Sequence, residues 1–301
     1  MNAVTVLPDT LPETTLPDTL PDSLDAANTP PVSAIRAYLG GSFNPVHDGH
    51  IQMAMAVYNC LLPSAHEHKR PLHVALLPNA RSPFKPQTIA PSHRLAMLKL
   101  AIQNTPLHIS ELELWQNPPV YTIDSVRTLR AQYPRDSLIF IMGMDSAGSL
   151  DKWKNGLQLT DYVHLWVFSR PDTADKVAPA LRQPLPTERI THCTDRLPAA
   201  LKSQVTDSLQ DILAPNYPLL KSTPLKNQPT GRIYIDRRPI AMISSTDIRQ
   251  QLQGDSQQAT SHQNSAMMAA TINANKALKC LHPMVYHYII AHQLYSAVQF
   301  R

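Results

Sequence analysis

Gly40-Gly41-Ser42-Phe43-Asn44-Pro45-Val46-His47-Asp48-Gly49-His50 is the stretch on which the reading of this chain turns. It follows an apolar, strand-sized segment (35–39) and precedes an apolar segment of helical length (49–62). In an open α/β sheet, a strand-to-helix junction of this kind lies at the carboxyl edge of a central strand, where ligands bind. Gly40 and Gly41 in the turn admit backbone conformations and close approaches that larger residues cannot. Gly49 opens a helix whose free N–H groups and dipole favour an anion. His47 and His50 bring two imidazoles to the same place. Together these groups form a phosphate cradle of an unusual kind. The chain has only 8 glycines, and neither G-x-G-x-x-G nor G-x-x-x-x-G-K-[ST] occurs, which disfavours a dinucleotide fingerprint of that type and a P-loop.

Outward from this run, strand and helix patterns alternate. Residues 72–77 read as a second strand, and a Pro-rich loop leads to a helix over 92–104, where Leu95, Leu98 and Ile102 recur at helical spacing. Residues 107–114 alternate apolar and polar and predict an outer strand. Thr122 is placed to cap a helix running to 133, and 137–142 reads as a buried strand. A helix over 145–154 and a strand over 163–168 follow. Beyond Arg170 the pattern weakens, with one amphipathic helix expected over 197–213. It resumes with a strand at 232–236, a helix over 246–252 capped by Ser244 or Ser245, and a last helix from Pro283 to near Tyr295. Such alternation predicts an α/β fold: a doubly wound, mostly parallel sheet with helices on both faces.

The domain expectation is a catalytic unit over 34–301, with insertions near 171–230 and 254–275. Ahead of it, residues 1–33 repeat L-P-D-T, L-P-E-T, L-P-D-T and L-P-D-S and hold five acids and no base. Pro at this density blocks helices and ladders, and the segment has little apolar surface, so it reads as a disordered leader. The whole chain carries 27 Lys+Arg against 23 Asp+Glu, a net charge of +4. Without the five acids of the leader, the body is at about +9. That balance suits phosphorylated small-molecule substrates and is too small to argue for nucleic acid. No run approaches the roughly eighteen apolar residues of a membrane span, and no secretory signal pattern is present. Cys60, Cys193 and Cys280 are odd in number and far apart, which points to a reducing, cytoplasmic setting. Oligomeric state, monomer or homo-oligomer, leaves no mark.

A second cluster is Ile243-Ser244-Ser245-Thr246-Asp247-Ile248-Arg249. Hydroxyls and N–H groups at a helix start bind phosphate oxygens, and Arg249 lies one turn in. Alone this is an ordinary helix cap. Beside the first motif in a parallel sheet, it reads as the second half of a triphosphate site. A zinc reading of His47 and His50 lacks a third ligand at sensible spacing. His282, His287 and His292 recur every five residues, about 140° apart on a helical wheel, and cannot share a face.

With those residues quoted, the chain resembles the nicotinate-nucleotide adenylyltransferases, members of the H-x-G-H nucleotidylyltransferases. The 40–50 run has their G-G-x-F-x-P-x-H-x-G-H form, and I-S-S-T-D-I-R resembles their C-terminal motif. Leu77-Pro78-Asn79 with Lys85, then Arg94, Met97 and Leu98, and Tyr121-Thr122-Ile123-Asp124 agree with it. So do Gly143-Met144-Asp145-Ser146 with Trp153-Lys154 and the final helix. The sequence departs from the pattern at Phe84, where the family often has His, and in the leader and the two long insertions.

The resemblance implies adenylyl transfer from ATP, with Mg²⁺, to nicotinate mononucleotide in NAD biosynthesis. The residues themselves leave nicotinamide mononucleotide, or another phosphorylated acceptor, open. By the same resemblance, His47, His50, Lys85 and Arg249 are the catalytic candidates. Gly40, Gly41, Ser42, Phe43, Gly143, Asp145, Ser245 and Thr246 join the histidines and Arg249 around ATP. Asn44, Lys85, Thr122, Asp124 and Trp153 are assigned to the acceptor, and no protein-held metal is expected. Three rivals share parts of the pattern. Phosphopantetheine or glycerol-3-phosphate transferases usually occupy shorter chains and lack the Tyr-Thr-x-Asp and Ser-Ser-Thr features. A class I aminoacyl-tRNA synthetase would need a K-M-S-K-S-like loop, which is absent from the sequence. The non-enzyme alternative is a binding module displayed through its Pro-rich leader; deleting residues 1–33 discriminates, because the catalytic reading predicts unchanged turnover.

Overall fold

The structure is a computed structural model that describes residues 32–80, 88–169, 194–214, 231–241, 243–261 and 280–296, with the side chains of 254–261 and 296 left aside. The strands are β1 (Ile35–Gly41), β2 (Leu72–Pro78), β3 (His108–Ile109), β4 (Ser137–Gly143), β5 (His164–Phe168), β6 (Val205–Thr206) and β7 (Ile233–Asp236). They form one seven-stranded sheet in the order β3-β2-β1-β4-β5-β7-β6, and every pair is parallel. The helices are α1 (Asp48–Glu67), α2 (Pro91–Ala101), α3 (Thr122–Gln132), α4 (Met144–Ala147), α5 (Leu209–Leu213), α6 (Ser245–Ser261) and α7 (Pro283–Ala291).

Burial on both faces explains why β1, β4 and β5 are near-continuous apolar runs. One core packs Leu61 of α1, Met97 and Leu98 of α2, Ile248 of α6 and Ile289 of α7 under one side of the sheet. The other packs Ile123, Val126 and Leu129 of α3 with Leu138, Phe140 and Leu165. The chain leaves β1 toward β2 on one side, while β4 flanks β1 on the other. The carboxyl ends of β1 and β4 therefore open a crevice at the point where strand order reverses. Among the described residues no helix is long and apolar enough to cross a membrane.

Several elements differ from expectation. Gly40 and Gly41 belong to β1, in register with Leu77 and Pro78, and no glycine has positive φ among the described residues. Helix α1 passes through Pro63 to Glu67, because Leu61 and Ala65 hold its last turn against the core. The outer strand shrinks to two residues: Glu113 and Leu114 are adjacent and both buried, which an alternating strand does not allow. The helix over 145–154 stops after Ala147, where a side chain on Gly148 would meet the Arg196 carbonyl at 2.8 Å. A 3₁₀ turn at Leu150–Lys152 replaces the rest. The helix over 197–213 is split: a 3₁₀ turn, the unforeseen strand β6 and the short α5 take its place. Thr122 is the first residue of α3 rather than its cap, which is Tyr121.

Candidate active site

A cavity of about 500 Å³ occupies the crevice. Its floor is made by strand ends: Gly40 and Gly41 of β1, Leu77 of β2, Met142 and Gly143 of β4, and Phe168 of β5. The loop after β1 supplies one wall. There Phe43 is buried and takes a left-handed φ of 44°, a conformation rare for a bulky residue. A side chain on Gly41 would come to 3.0 Å of the Phe43 ring. The glycines are thus explained by packed rings rather than by unusual backbone angles.

His47 caps α1 and His50 sits one turn inside. Their rings lie 3.7 Å apart, centre to centre, tilted by 30°, and Phe43 packs edge-on to His50 at 4.9 Å. The His47 backbone N–H donates to His50 Nδ1 at 3.2 Å. In the neutral ring the proton then sits on Nε2, so His50 brings a donor to the cavity it lines. Gly49 lines the same wall, where a Cβ would meet the Ala241 carbonyl at 3.1 Å.

The second motif closes on the first. Ser245, buried at the start of α6, donates from Oγ to the Pro45 carbonyl at 2.9 Å. Ser244 forms the cap: its Oγ accepts from Asp247 N–H at 3.1 Å while the Asp247 carboxylate accepts from Ser244 N–H at 3.2 Å. Ser245 and Thr246 line the cavity with His47 and His50. Sequence reasoning brought these two clusters, 200 residues apart, to one place, and the structure does so.

The opposite wall comes from α3, α4 and the segments beside them. Thr122, Asp145 and Trp153 line the cavity, together with Ser146 and Ser149. Asp145 is exposed and pairs with Arg196 at 2.8 Å. A side chain on Gly143 would meet nothing within 4 Å, so the β4 end leaves free space at the cavity floor.

Four expected residues stand behind the walls rather than in them. Phe43 supports Gly41 and His50 from below. Asn44 is buried; its Oδ1 accepts from Tyr295 at 2.7 Å and its carbonyl from Arg249 at 2.6 Å. Arg249 is thereby turned to the loop, with its other arm on Thr246 Oγ1 at 3.2 Å. Asp124 faces outward, 3.6 Å from Arg127 and 3.8 Å from Lys154. Lys85 lies outside the described residues.

Glu113 and Asn79 line the cavity without having been singled out as site residues. Burial pushes the Glu113 carboxyl upward from its ordinary pKa, with the Ser125 hydroxyl opposing. Glu113 follows Glu111 by two residues in a segment that alternates apolar and polar, and an alternating strand would have turned both acids outward to solvent. Among the described residues no three of His, Cys, Asp and Glu converge on a possible metal position.

Residues 38–251 match the cytidylyltransferase-like family. A probable nicotinate-nucleotide adenylyltransferase of Idiomarina loihiensis is 33% identical over 221 residues, which are 73% of this chain and 88% of the relative. One of Pseudoalteromonas atlantica is 31% identical over 259 residues, 85% of this chain and 93% of the relative. The structure of Plasmodium falciparum nicotinic acid mononucleotide adenylyltransferase complexed with NaAD has the same fold. Its TM-score is 0.54 at 16% identity, over 89% of this chain and 100% of that one.

Proposed function

Since the chain belongs to the nicotinate-nucleotide adenylyltransferases of the cytidylyltransferase-like family, we propose that its carboxyl-edge cavity holds ATP and nicotinate mononucleotide side by side. The chain transfers the adenylyl group of ATP to the mononucleotide, yielding nicotinate adenine dinucleotide and pyrophosphate for NAD biosynthesis. An oxygen of the acceptor phosphate forms a bond to the α-phosphorus, and the bond from that phosphorus to the bridging oxygen breaks. The electron pair leaves with pyrophosphate. A phosphate monoester has a second pKa of about 6, so the nucleophile is already an anion near neutrality and needs no general base. What the protein must supply is in-line placement and donors for charge spread over the transferring group.

The observation that carries the assignment is the 2.9 Å hydrogen bond from Ser245 to Pro45, which ties the hydroxyl motif to the histidine loop around one cavity. In this reading His50 donates from Nε2 to the α-phosphate, with His47 beside it. Gly40, Gly41 and Ser42 carry the backbone that approaches the nucleotide, and Ser245 and Thr246 contact the outer phosphates. Arg249 and Asn44 act by holding the loop, as their mutual hydrogen bond supports. Lys85 is assigned to the phosphates, Asp145 and Gly143 to the adenosine ribose, and Thr122 and Trp153 to the acceptor ring. Asp124 steadies that wall through Lys154.

Mg²⁺ enters as the counter-ion of the ATP phosphates. A small hard cation that takes most of its oxygens from phosphate and water needs no cage of three protein ligands, and the donor set lining the cavity suits such an ion. The odd number and wide spacing of Cys60, Cys193 and Cys280 support a reducing, cytoplasmic location.

Pyrophosphate release, measured with ATP and each mononucleotide in turn, tests the reading. The expected result is turnover with nicotinate mononucleotide, reduced about a hundredfold or more by His50→Ala in a protein that still melts cooperatively. Near wild-type turnover in that variant would remove His50 from the mechanism. Turnover with nicotinamide mononucleotide alone would reassign the acceptor.

A further inference from the structure

Arg94, in α2, is completely buried. Its guanidinium donates to the carbonyls of Ser42 at 3.0 Å, Asn79 at 2.7 Å and Ala80 at 2.6 Å, and reaches Asn79 Oδ1 at 3.3 Å. No carboxylate pairs with it among the described residues. Burial pulls its pKa downward from the ordinary arginine value, but a guanidinium titrates so far above neutrality that it keeps its charge.

A buried cation without a counter-charge is costly, and a neutral donor would reach the same carbonyls without that penalty. The position of Arg94 accounts for the charge. Ser42 and Asn79 both line the cavity, one following β1 and the other β2, and Asn79 N–H is already bonded to the Gly41 carbonyl at 3.0 Å. In a trans peptide the carbonyl and the next N–H point opposite ways. Carbonyls of Ser42 and Asn79 turned toward Arg94 therefore direct the N–H groups of Phe43 and Ala80 away from it.

We infer that Arg94 is a positioning residue of the ATP site: it pins the loops after β1 and β2 from beneath, and its uncancelled charge adds to the potential that a triphosphate meets. This rests on the functional reading above. A planar fork fits several carbonyls at once, whereas an ammonium is a compact point charge, so Arg94→Lys keeps the field and loses the geometry. Arg94→Met loses both.

The test uses the full chain with thermal melts, calorimetric titration of ATP, and steady-state kinetics. ATP affinity should fall roughly tenfold or more in Arg94→Met and clearly less in Arg94→Lys, while kcat falls in both, by up to about a hundredfold. Equal ATP affinities in the two variants, or an Arg94→Lys protein with wild-type kcat and affinity, would overturn the proposal. If Arg94→Met does not fold, Arg94→Lys measured against wild type decides. If neither folds, Arg94 is a structural tie only and the proposal fails. A wild-type protein that binds ATP but releases no pyrophosphate would overturn the functional reading instead, and the binding comparison would still judge Arg94.

Discussion

Two glycines at the cavity floor illustrate how differently one added methyl group can act. Gly40 is pressed against the Phe140 ring so closely that a Cβ would overlap it, whereas a Cβ on Gly143 would project into open space. Phe140 belongs to the second core as well as to the cavity lining, so a displaced ring gives up core contacts. Gly40→Ala should therefore destabilise the fold by about 1–3 kcal/mol, visible as a lower denaturation midpoint. Gly143→Ala should leave that midpoint unchanged and raise a substrate KM, because the methyl group occupies ligand space. If the two variants exchange these effects, the account of the floor is wrong. His47 and His50 were legible from residue type and position, because helix starts carry a fixed chemistry wherever they lie; Ser245 and Thr246, by themselves an ordinary cap, became legible beside that first motif. The turned-away side chains of Arg249 and Asn44 were not. A motif shows that a cation is near a phosphate site but not which acceptor it takes, and here the closest is the Asn44 carbonyl.

At the level of elements, a buried histidine joins three segments. His164 of β5 accepts at Nδ1 from Arg232 N–H at 3.0 Å, ahead of β7, and its Nε2 lies 3.0 Å from the Ala214 carbonyl after α5. Both contacts suit the neutral Nε2–H ring, and burial pushes its pKa from 6.5 down to about 4. The unfolded chain therefore binds a proton that the folded chain refuses. The stability His164 contributes is intact above pH 6.5 and is lost as pH falls toward 4, by about 3 kcal/mol in all. Comparing melting temperatures of wild type and His164→Gln across pH 4 to 7 isolates this slope. Parallel pH curves would show that His164 does not titrate as described. The long elements were readable because their apolar periods are sustained. The short ones, β3, β6 and α4, were misread for a physical reason. Over two to four residues, the partner strand or a close approach such as Arg196 against Gly148 outweighs local propensity.

For the whole molecule, the compact unit starts at Val32, and Ser33, on the leader side of the expected boundary, has its carbonyl held by Arg70 at 2.8 Å. A chain lacking residues 1–31 should keep wild-type kcat and KM, and a chain cut further in, through Ala34, should lose stability. Lost turnover in the shorter truncation would implicate the leader in the reaction. The family resemblance implied which nucleotides bind, but local patterns by themselves determined the doubly wound parallel class and pointed to a phosphate-binding site. Both follow from apolar period, from glycine and histidine at one strand end, and from hydroxyls at one helix start, all features that span a few residues. The tertiary structure alone decided which side chains reach the cavity, how Glu113 came to line it, and what Arg94 holds from beneath. Those outcomes depend on packing between segments far apart in the chain, where the direction of a side chain is set by neighbours that no local window contains.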